Sequence, residues 1–303
     1  MVAVLAGGTG GAKLAAGLYD LLGPDELVVI ANTGDDVEVY GVHVSPDPDL
    51  VTWWLAGWID ERGWGSAGDT WSVMAALEAA GRPVWFRLGD RDLAMCLVRT
   101  ELLRSGARLT EAHAAVVAAA GVKARVLPMS DDPVRTRVRT PAGWLPFQEF
   151  MIGERAAAPI EEVELGGAAE AAPSLEVLEA IAAADAIVIG PSNPVISIGP
   201  ILALPGIRAA LREASAPVVA VSPFVGGRAV KGPTDAFMAH AGFERSAAGV
   251  LAAYEGLVDG LVADEPVEGA GCPVVVDDTL MTDAEGRRRV ASRAVELGSA
   301  LRR

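Results

Sequence analysis

Val2-Ala3-Val4-Leu5-Ala6-Gly7-Gly8-Thr9-Gly10-Gly11 decides how this chain is read. The five apolar residues have the continuous character of a strand covered on both faces, and Ala12 to Leu22 carries a helical pattern. A strand that passes through clustered glycines into a helix opens a doubly wound α/β domain. Glycine lets the backbone come close to an anion there, and the helix N-terminus adds unpaired N–H groups and a positive dipole end. The next strand repeats the theme. Leu27 to Ala31 ends in Asn32-Thr33-Gly34-Asp35-Asp36, which puts two carboxylates where such a sheet has its ligand crevice. An anion cradle beside carboxylates predicts an enzyme acting on a nucleotide diphosphate with a divalent cation.

Further strand-like runs stand at Val84–Leu88, Ala186–Gly190, Pro217–Ser222, Gly260–Ala263 and Pro273–Asp277. They alternate with helical patterns at Thr70–Ala80, Leu93–Ser105, Thr110–Ala120, Ser174–Ala183, Pro205–Glu213 and Asp283–Leu301. The alternation predicts an α/β fold with a Rossmann-like, doubly wound, mostly parallel sheet. The middle departs from this rhythm: Val134–Thr140 and Trp144–Ile152 alternate in polarity around Pro141-Ala142-Gly143, a hairpin signature. The chain is therefore divided into a nucleotide-binding core at 1–49 and 171–303, which also takes in the strand near 84–88, and an inserted helical plus antiparallel β subdomain at 50–170.

With 303 residues, 51% of them hydrophobic, the chain can bury a large core, and its net charge of −15 argues against a nucleic-acid-binding surface. No apolar run reaches the roughly 18 residues of a membrane helix. Met1 leads directly into a strand, so no secretory signal is expected. Cys96 and Cys272 provide neither a zinc cage nor a disulfide framework, consistent with a cytoplasmic location. His43, His113 and His240 lack metal-ligand spacing. An acidic protein that binds an anion must neutralise it locally, through glycine-rich turns, a few basic side chains and a metal ion.

The first turn is not a P-loop, because Ala12 precedes Lys13 and Leu14 follows it, and Lys13 stands where the dinucleotide fingerprint needs glycine. Gly8, Thr9, Gly10, Gly11 and Lys13 are the candidate phosphate contacts; a purely structural tight turn is the alternative. Asp35 and Asp36 follow a strand, while Asp47 and Asp49 lie in Ser45-Pro46-Asp47-Pro48-Asp49, read as a proline-stiffened loop. Carboxylates on two neighbouring loops can share a magnesium ion, which takes one or two of them plus substrate phosphate oxygens. Helix caps and Asx-turns are the ordinary alternative. Six of the seven tryptophans fall between Trp53 and Trp85. Most fit the packed core of a helical insertion, but Trp64 stands between Gly63 and Gly65 and can wall a flat aromatic ligand. In Leu88-Gly89-Asp90-Arg91-Asp92, Asp90 or Asp92 can cap a helix, with Arg87 and Arg91 pointing to the crevice. Gly190-Pro191-Ser192-Asn193-Pro194 and Ser222-Pro223-Phe224-Val225-Gly226-Gly227, with Arg228 and Lys231 behind, follow later strands whose ends converge on one sheet edge.

Together these segments resemble the 2-phospho-L-lactate transferase family (CofD, or FbiA in actinobacteria) of coenzyme F420 biosynthesis. The resemblance also rests on Leu127-Pro128-Met129-Ser130-Asp131-Asp132, Phe147-Gln148-Glu149 and Leu280-Met281-Thr282. In order and spacing the motifs span essentially the whole chain. Pro146 stands where the family usually has His before Phe147, and Pro48 and Leu50 replace the usual Leu and Thr around Asp49.

The resemblance implies magnesium-dependent transfer of a phospholactyl or phosphoenolpyruvyl group from a guanosine diphosphate-linked donor to the deazaflavin Fo, releasing GMP. By position, Asp49 and Arg87 resemble deazaflavin contacts, joined in this reading by Trp64 and Arg91 from the insertion. Asp35 resembles a magnesium ligand, with Asp47 beside it. Ser192, Asn193, Pro194 and Ser222 would hold nucleoside and phosphates. Asp49 or Asp36 would accept the hydroxyl proton, and a homodimer is implied. Two other readings compete: a nucleotide-sugar-binding regulator of the related gluconeogenesis-factor branch, and a nicotinamide-dependent oxidoreductase, which the glycine spacing disfavours. No residue distinguishes lactyl, enolpyruvyl and glyceryl donors.

Overall fold

A computed structural model describes residues 1–230 and 232–302; Lys231 lies outside the described residues. Seven parallel strands form the central sheet: β1 (Val2–Ala6), β2 (Leu27–Ala31), β3 (Arg125–Pro128), β4 (Ala186–Ile189), β5 (Val218–Val221), β6 (Gly260–Ala263) and β7 (Val274–Val276). Their order across the sheet is β7-β6-β5-β4-β1-β2-β3, so the winding reverses between β1 and β4. That is the switch point of a doubly wound fold, where loops from the two halves diverge and leave a crevice.

Alternation along each strand builds two cores. Ala3, Leu5, Val28 and Ile30 face one side with Ile187, Ile189, Val218 and Ala220. Val4, Ala6, Val29, Val188, Val219 and Val262 face the other. The first face is covered by α6 (Leu175–Ala183), α7 (Ile207–Glu213) and α8 (Ala247–Ala253). The second is covered by α1 (Gly8–Leu22), α2 (Pro46–Leu55), α5 (Leu109–Ala119) and α9 (Ala284–Leu301). Burial on both sides explains why the strands read as uninterrupted apolar runs.

Two differences from the sequence reading matter. Val84–Leu88 is not a strand. Phe86 and Leu88 instead fill a satellite core with Met74 and Leu93, against the small hairpin Val37–Val39/Val42–Val44, between α3 (Ser72–Ala79) and α4 (Asp90–Arg104). The missing strand is β3, which pairs Val28 with Arg125 and Ala31 with Pro128. Four residues long, opened by arginine and closed by proline, it carries no strand signature and is tolerated because it forms the sheet edge. β3 returns to the sheet in the middle of 50–170, so the helices α2–α5 and a three-stranded antiparallel sheet are separate excursions. In that sheet Arg135–Thr140 pairs with Gly143–Pro146 and Glu162–Gly166. The predicted hairpin is present around Pro141-Ala142, but its second arm stops at Pro146, and Glu149–Gly153 winds into a helical turn that buries Phe150 against Phe237.

The crossing of α1 over the β4 loop is tight enough to dictate residue type. A Cβ on Gly10 would stand 1.9 Å from the Pro191 carbonyl oxygen, and one on Gly11 would stand 2.6 Å from Ser192 Oγ. Gly10→Ala is expected to lower stability by about 1–3 kcal/mol, the usual range for overpacking, measured by chemical denaturation. Unchanged stability would contradict this closure.

Candidate functional site

The site begins where β1 ends. Gly7 is extended and Gly8 adopts a positive φ of 62°, which turns the chain into α1. The Gly7 N–H donates to Ser192 Oγ (3.3 Å), and the Gly8 N–H donates to Asp47 Oδ1 (2.7 Å). A carboxylate thus sits on the helix end that the sequence assigned to a phosphate. Gly10 and Gly11 are required by the close crossing, and Lys13 donates to the Met281 carbonyl (3.0 Å) with its ammonium 5.8 Å from the Trp54 ring centroid.

Asp47 and Asp49 are not in a loop. Pro46 occupies the first position of α2 and both aspartates lie in its first turn. Proline is preorganised for that position and acids there complement the helix dipole. Asp47 Oδ2 accepts from Asn32 Nδ2 (2.9 Å), and Asn32 Oδ1 accepts from the Gly34 N–H (2.8 Å), so one amide ties the β2 loop to α2. Burial pushes Asp47 up to about 6 against these bonds. Asp35 is raised well above the ordinary carboxylate range by burial and then by the charge of Asp47, and its Oδ1 has no hydrogen-bond partner among the described residues. Burial raises Asp36 to about 8; Ser45 Oγ donates to its Oδ1 (2.7 Å), and His43 Nε2 lies 3.3 Å from Oδ2. The antiparallel sheet reaches the same loop through the Thr136 N–H, which donates to the Gly34 carbonyl (2.7 Å), and Gln148 Nε2, which donates to the Asp35 carbonyl (3.4 Å).

Across the switch point, Asn193 Oδ1 caps the turn at Pro194 by accepting from the Val195 and Ile196 N–H groups, and its buried Nδ2 has no partner among the described residues. Ser192 faces Gly7, as above. Ser222, at the end of β5, spends its hydroxyl on the Phe224 N–H (3.2 Å).

Beside Asp47 opens a cavity of about 240 Å³, lined by Asp47, Asp49, Trp53, Trp64, Trp71, Phe86, Arg87, Asp92, Cys96 and Gln148 among others. Asp49, Arg87 and Trp64 are thus brought together as expected. Arg91 is not among the lining residues; its guanidinium donates to the Ala67 carbonyl (3.3 Å). Arg87 pairs with Glu78 (2.8 Å) and lies 5.5 Å from the Trp71 centroid. Trp64 is half exposed, with Arg62 stacked 4.3 Å from its ring centroid. Asp49 has both oxygens engaged at 2.7 Å by Arg99, a fully buried residue. Asp92, raised to about 6 by burial, is bonded by Ser66 Oγ (2.8 Å).

The Gly89-Asp90-Arg91-Asp92 segment has a structural explanation. Asp90 accepts from the Ser72 and Val73 N–H groups and so caps α3, whereas Asp69 accepts from the Arg91 N–H and caps α4. The two helices cap each other, and a Cβ on Gly89 would stand 2.1 Å from the Asp69 carboxylate. Sequence reasoning missed Arg99, because an arginine on a helix ordinarily reads as solvent-facing. It missed Ser66 because single polar residues in connecting segments give no pattern, and it saw Gln148 only within the Phe147-Gln148-Glu149 motif, with no role assigned.

These features define a doubly wound α/β protein with a ligand site at its switch point and an aromatic annex beside it. The family model described as 2-phospho-L-lactate transferase CofD matches residues 2–293. A phosphoenolpyruvate transferase of Kitasatospora aureofaciens is 43% identical, covering 99% of this chain and 98% of its own. A 2-phospho-L-lactate transferase of Methanosarcina mazei is 40% identical, covering 97% and 99%. A crystal structure of a Bacillus halodurans protein superposes with a TM-score of 0.58 at 21% identity, covering 96% of this chain and 89% of that one; it supports the fold alone. The chain belongs to the CofD family and is a CofD-type transferase.

The buried groups set a pH dependence. Aspartates ionise near 3.8 when unfolded, but in the folded chain Asp47 and Asp36 keep their protons to about 6 and about 8. The folded state therefore binds the extra protons, and the stability they contribute is lost as pH rises through those values. His43 and His113 act oppositely: burial lowers them from 6.5 to about 4 and about 3, so stability falls as pH drops below 6.5. Melting temperature in the absence of ligands is expected to fall as pH rises from 6.5 to about 8, with Asp36→Asn flattening this alkaline limb. A steady rise between about pH 6 and about pH 8 would contradict the burial of these carboxylates.

Proposed function

We propose that the chain transfers a phospholactyl or phosphoenolpyruvyl group from a guanosine diphosphate-linked donor to the terminal ribityl hydroxyl of the deazaflavin Fo, releasing GMP, in coenzyme F420 biosynthesis. One observation carries this reading: Asp47 accepts from the Gly8 N–H at the anion-holding helix end and also lines the aromatic cavity. Diphosphate and planar acceptor would meet there.

The attacking hydroxyl oxygen forms a new bond to the phosphorus that bears the three-carbon acid. The bond from that phosphorus to the oxygen bridging to GMP breaks, and GMP leaves with the electron pair. The protein's contribution is positioning and electrostatics. The Asn193 amide orients the diphosphate, Trp64, Trp71 and Arg87 hold the acceptor, and Asp49 or, less readily, Asp36 accepts the hydroxyl proton.

Among the described residues no group of three or more His, Cys, Asp or Glu side chains is arranged to hold a metal ion. The donor set nevertheless fits magnesium, which needs only one or two carboxylates with substrate phosphates, and Asp35 offers an unpartnered buried oxygen next to the charge of Asp47. Asp35 and Asp47 would hold it, and its chemistry there is neutralisation of charge on the phosphate oxygens. The unpaired cysteines suit a cytoplasmic location, and a homodimer belongs to the same reading.

The test mixes purified protein, Fo, magnesium and each guanylylated donor, with the product identified by mass spectrometry. Asp35→Asn is expected to abolish turnover, and near-normal activity would refute the metal role. Arg87→Ala should raise the Michaelis constant for Fo far more than that for the donor; equal effects would remove Arg87 from the acceptor site. Tight binding of a UDP-sugar without binding of Fo would favour the regulator instead.

A further inference from the structure

Arg99, on α4, is 0% exposed, and its guanidinium is enclosed by polar partners contributed by three other elements. Nη1 and Nη2 donate to the two oxygens of Asp49, on α2, at 2.7 Å each. Nε donates to the His43 carbonyl of the small hairpin (3.4 Å), and Nη1 also meets His113 Nδ1, on α5, at 3.3 Å. A guanidinium can only donate, so Nδ1 of His113 is the acceptor and its proton resides on Nε2. That nitrogen lies 3.2 Å from Thr52 Oγ1, which donates to the Pro48 carbonyl one turn back (2.8 Å). The chain of contacts therefore closes on α2, beside Asp49 itself.

A fully desolvated guanidinium is an expensive way to hold helices together, and an apolar residue would pack there as well. What it supplies is a planar fork that fixes a carboxylate in one orientation. Asp49 lines the aromatic cavity. We propose that Arg99 is a positioning residue for the acceptor site. It locks the Asp49 carboxylate so that the lone pairs not used by the fork face the cavity, where they accept hydrogen bonds from the hydroxyl or ring N–H groups of a planar, polyhydroxylated acceptor; His113 and Thr52 hold Arg99 in register. The inference rests on the reading of this cavity as the acceptor site.

The experiment measures binding of Fo by its fluorescence and of GDP by calorimetry, with steady-state kinetics, for the full-length wild type, Arg99→Lys, Arg99→Met, Asp49→Asn and the Asp49→Asn/Arg99→Met pair. Arg99→Met is expected to weaken Fo binding about ten-fold or more, the scale of a lost charge-assisted hydrogen bond, with GDP affinity and the donor Michaelis constant unchanged. Arg99→Lys keeps the charge without the fork and should recover only part of the loss. In the Asp49→Asn background, Arg99→Met should add little, because both substitutions remove the same contact. If Arg99→Met does not fold, the comparison of Arg99→Lys with Asp49→Asn decides the matter by the same split between Fo and GDP. Unchanged Fo binding in Arg99→Lys and Arg99→Met, or equal loss of Fo and GDP, would overturn the positioning role. A wild type that binds GDP but not Fo would overturn the acceptor-site reading itself, and that result needs no variant to be seen.

Discussion

Asp35, Asp36 and Asp47 cannot all carry charge where the backbone places them. Each is buried, Asp47's charge adds to the cost of ionising Asp35, and the basic side chain recorded against these carboxylates among the described residues is the half-buried His43 beside Asp36. The arrangement follows from the switch point. β1 delivers the N-terminus of α1, β2 delivers the Asn32–Asp36 turn, and α2 is drawn onto both by the Gly8 and Asn32 hydrogen bonds to Asp47. A folded chain carries such a concentration of acid at a cost in stability, which a bound cation would remove. The contrast with the second acidic centre is instructive. Asp49, two residues from Asp47 on the same helix, has its counter-charge built in as Arg99. One carboxylate group is thus left in need of an external partner, and the other is fixed in place by an internal one.

This division of labour gives the two halves of the site different characters. The switch-point half is polar, with partners left unsatisfied at Asp35 Oδ1, Asn193 Nδ2 and Thr33 Oγ1. The annex is aromatic, walled by Trp53, Trp64, Trp71 and Phe86, and its helices cap each other through Asp69 and Asp90. Asp47 belongs to both. The relatives carry the names phosphoenolpyruvate transferase and 2-phospho-L-lactate transferase at similar identity, and the geometry contains nothing that separates one three-carbon acid from another.

Much of the fold was legible because buried parallel strands write themselves as apolar runs: β1, β2 and β6 match the sequence reading residue for residue. Val84–Leu88 misled because an apolar run records burial and not geometry, and a satellite core buries as well as a sheet does. β3 was silent because four residues opened by an exposed arginine and closed by proline leave too short an apolar run to declare a strand. At the site, the carboxylates were visible as a set, but Ser45-Pro46-Asp47 read as a loop when proline followed by acids is equally the opening turn of a helix. Arg99 was not visible at all. Its role depends on which face of α4 turns inward, and a helix with arginine and cysteine on its buried side has almost no amphipathic signal to show it.

The most direct measurement is calorimetric titration of the protein with GDP, with and without magnesium, at about pH 7 in two buffers of different ionisation enthalpy. Ionisation of the buried aspartates on binding the metal–diphosphate predicts tight binding only with magnesium present, accompanied by net proton release to the buffer. Equal affinity without magnesium, or a heat independent of the buffer, would contradict the account.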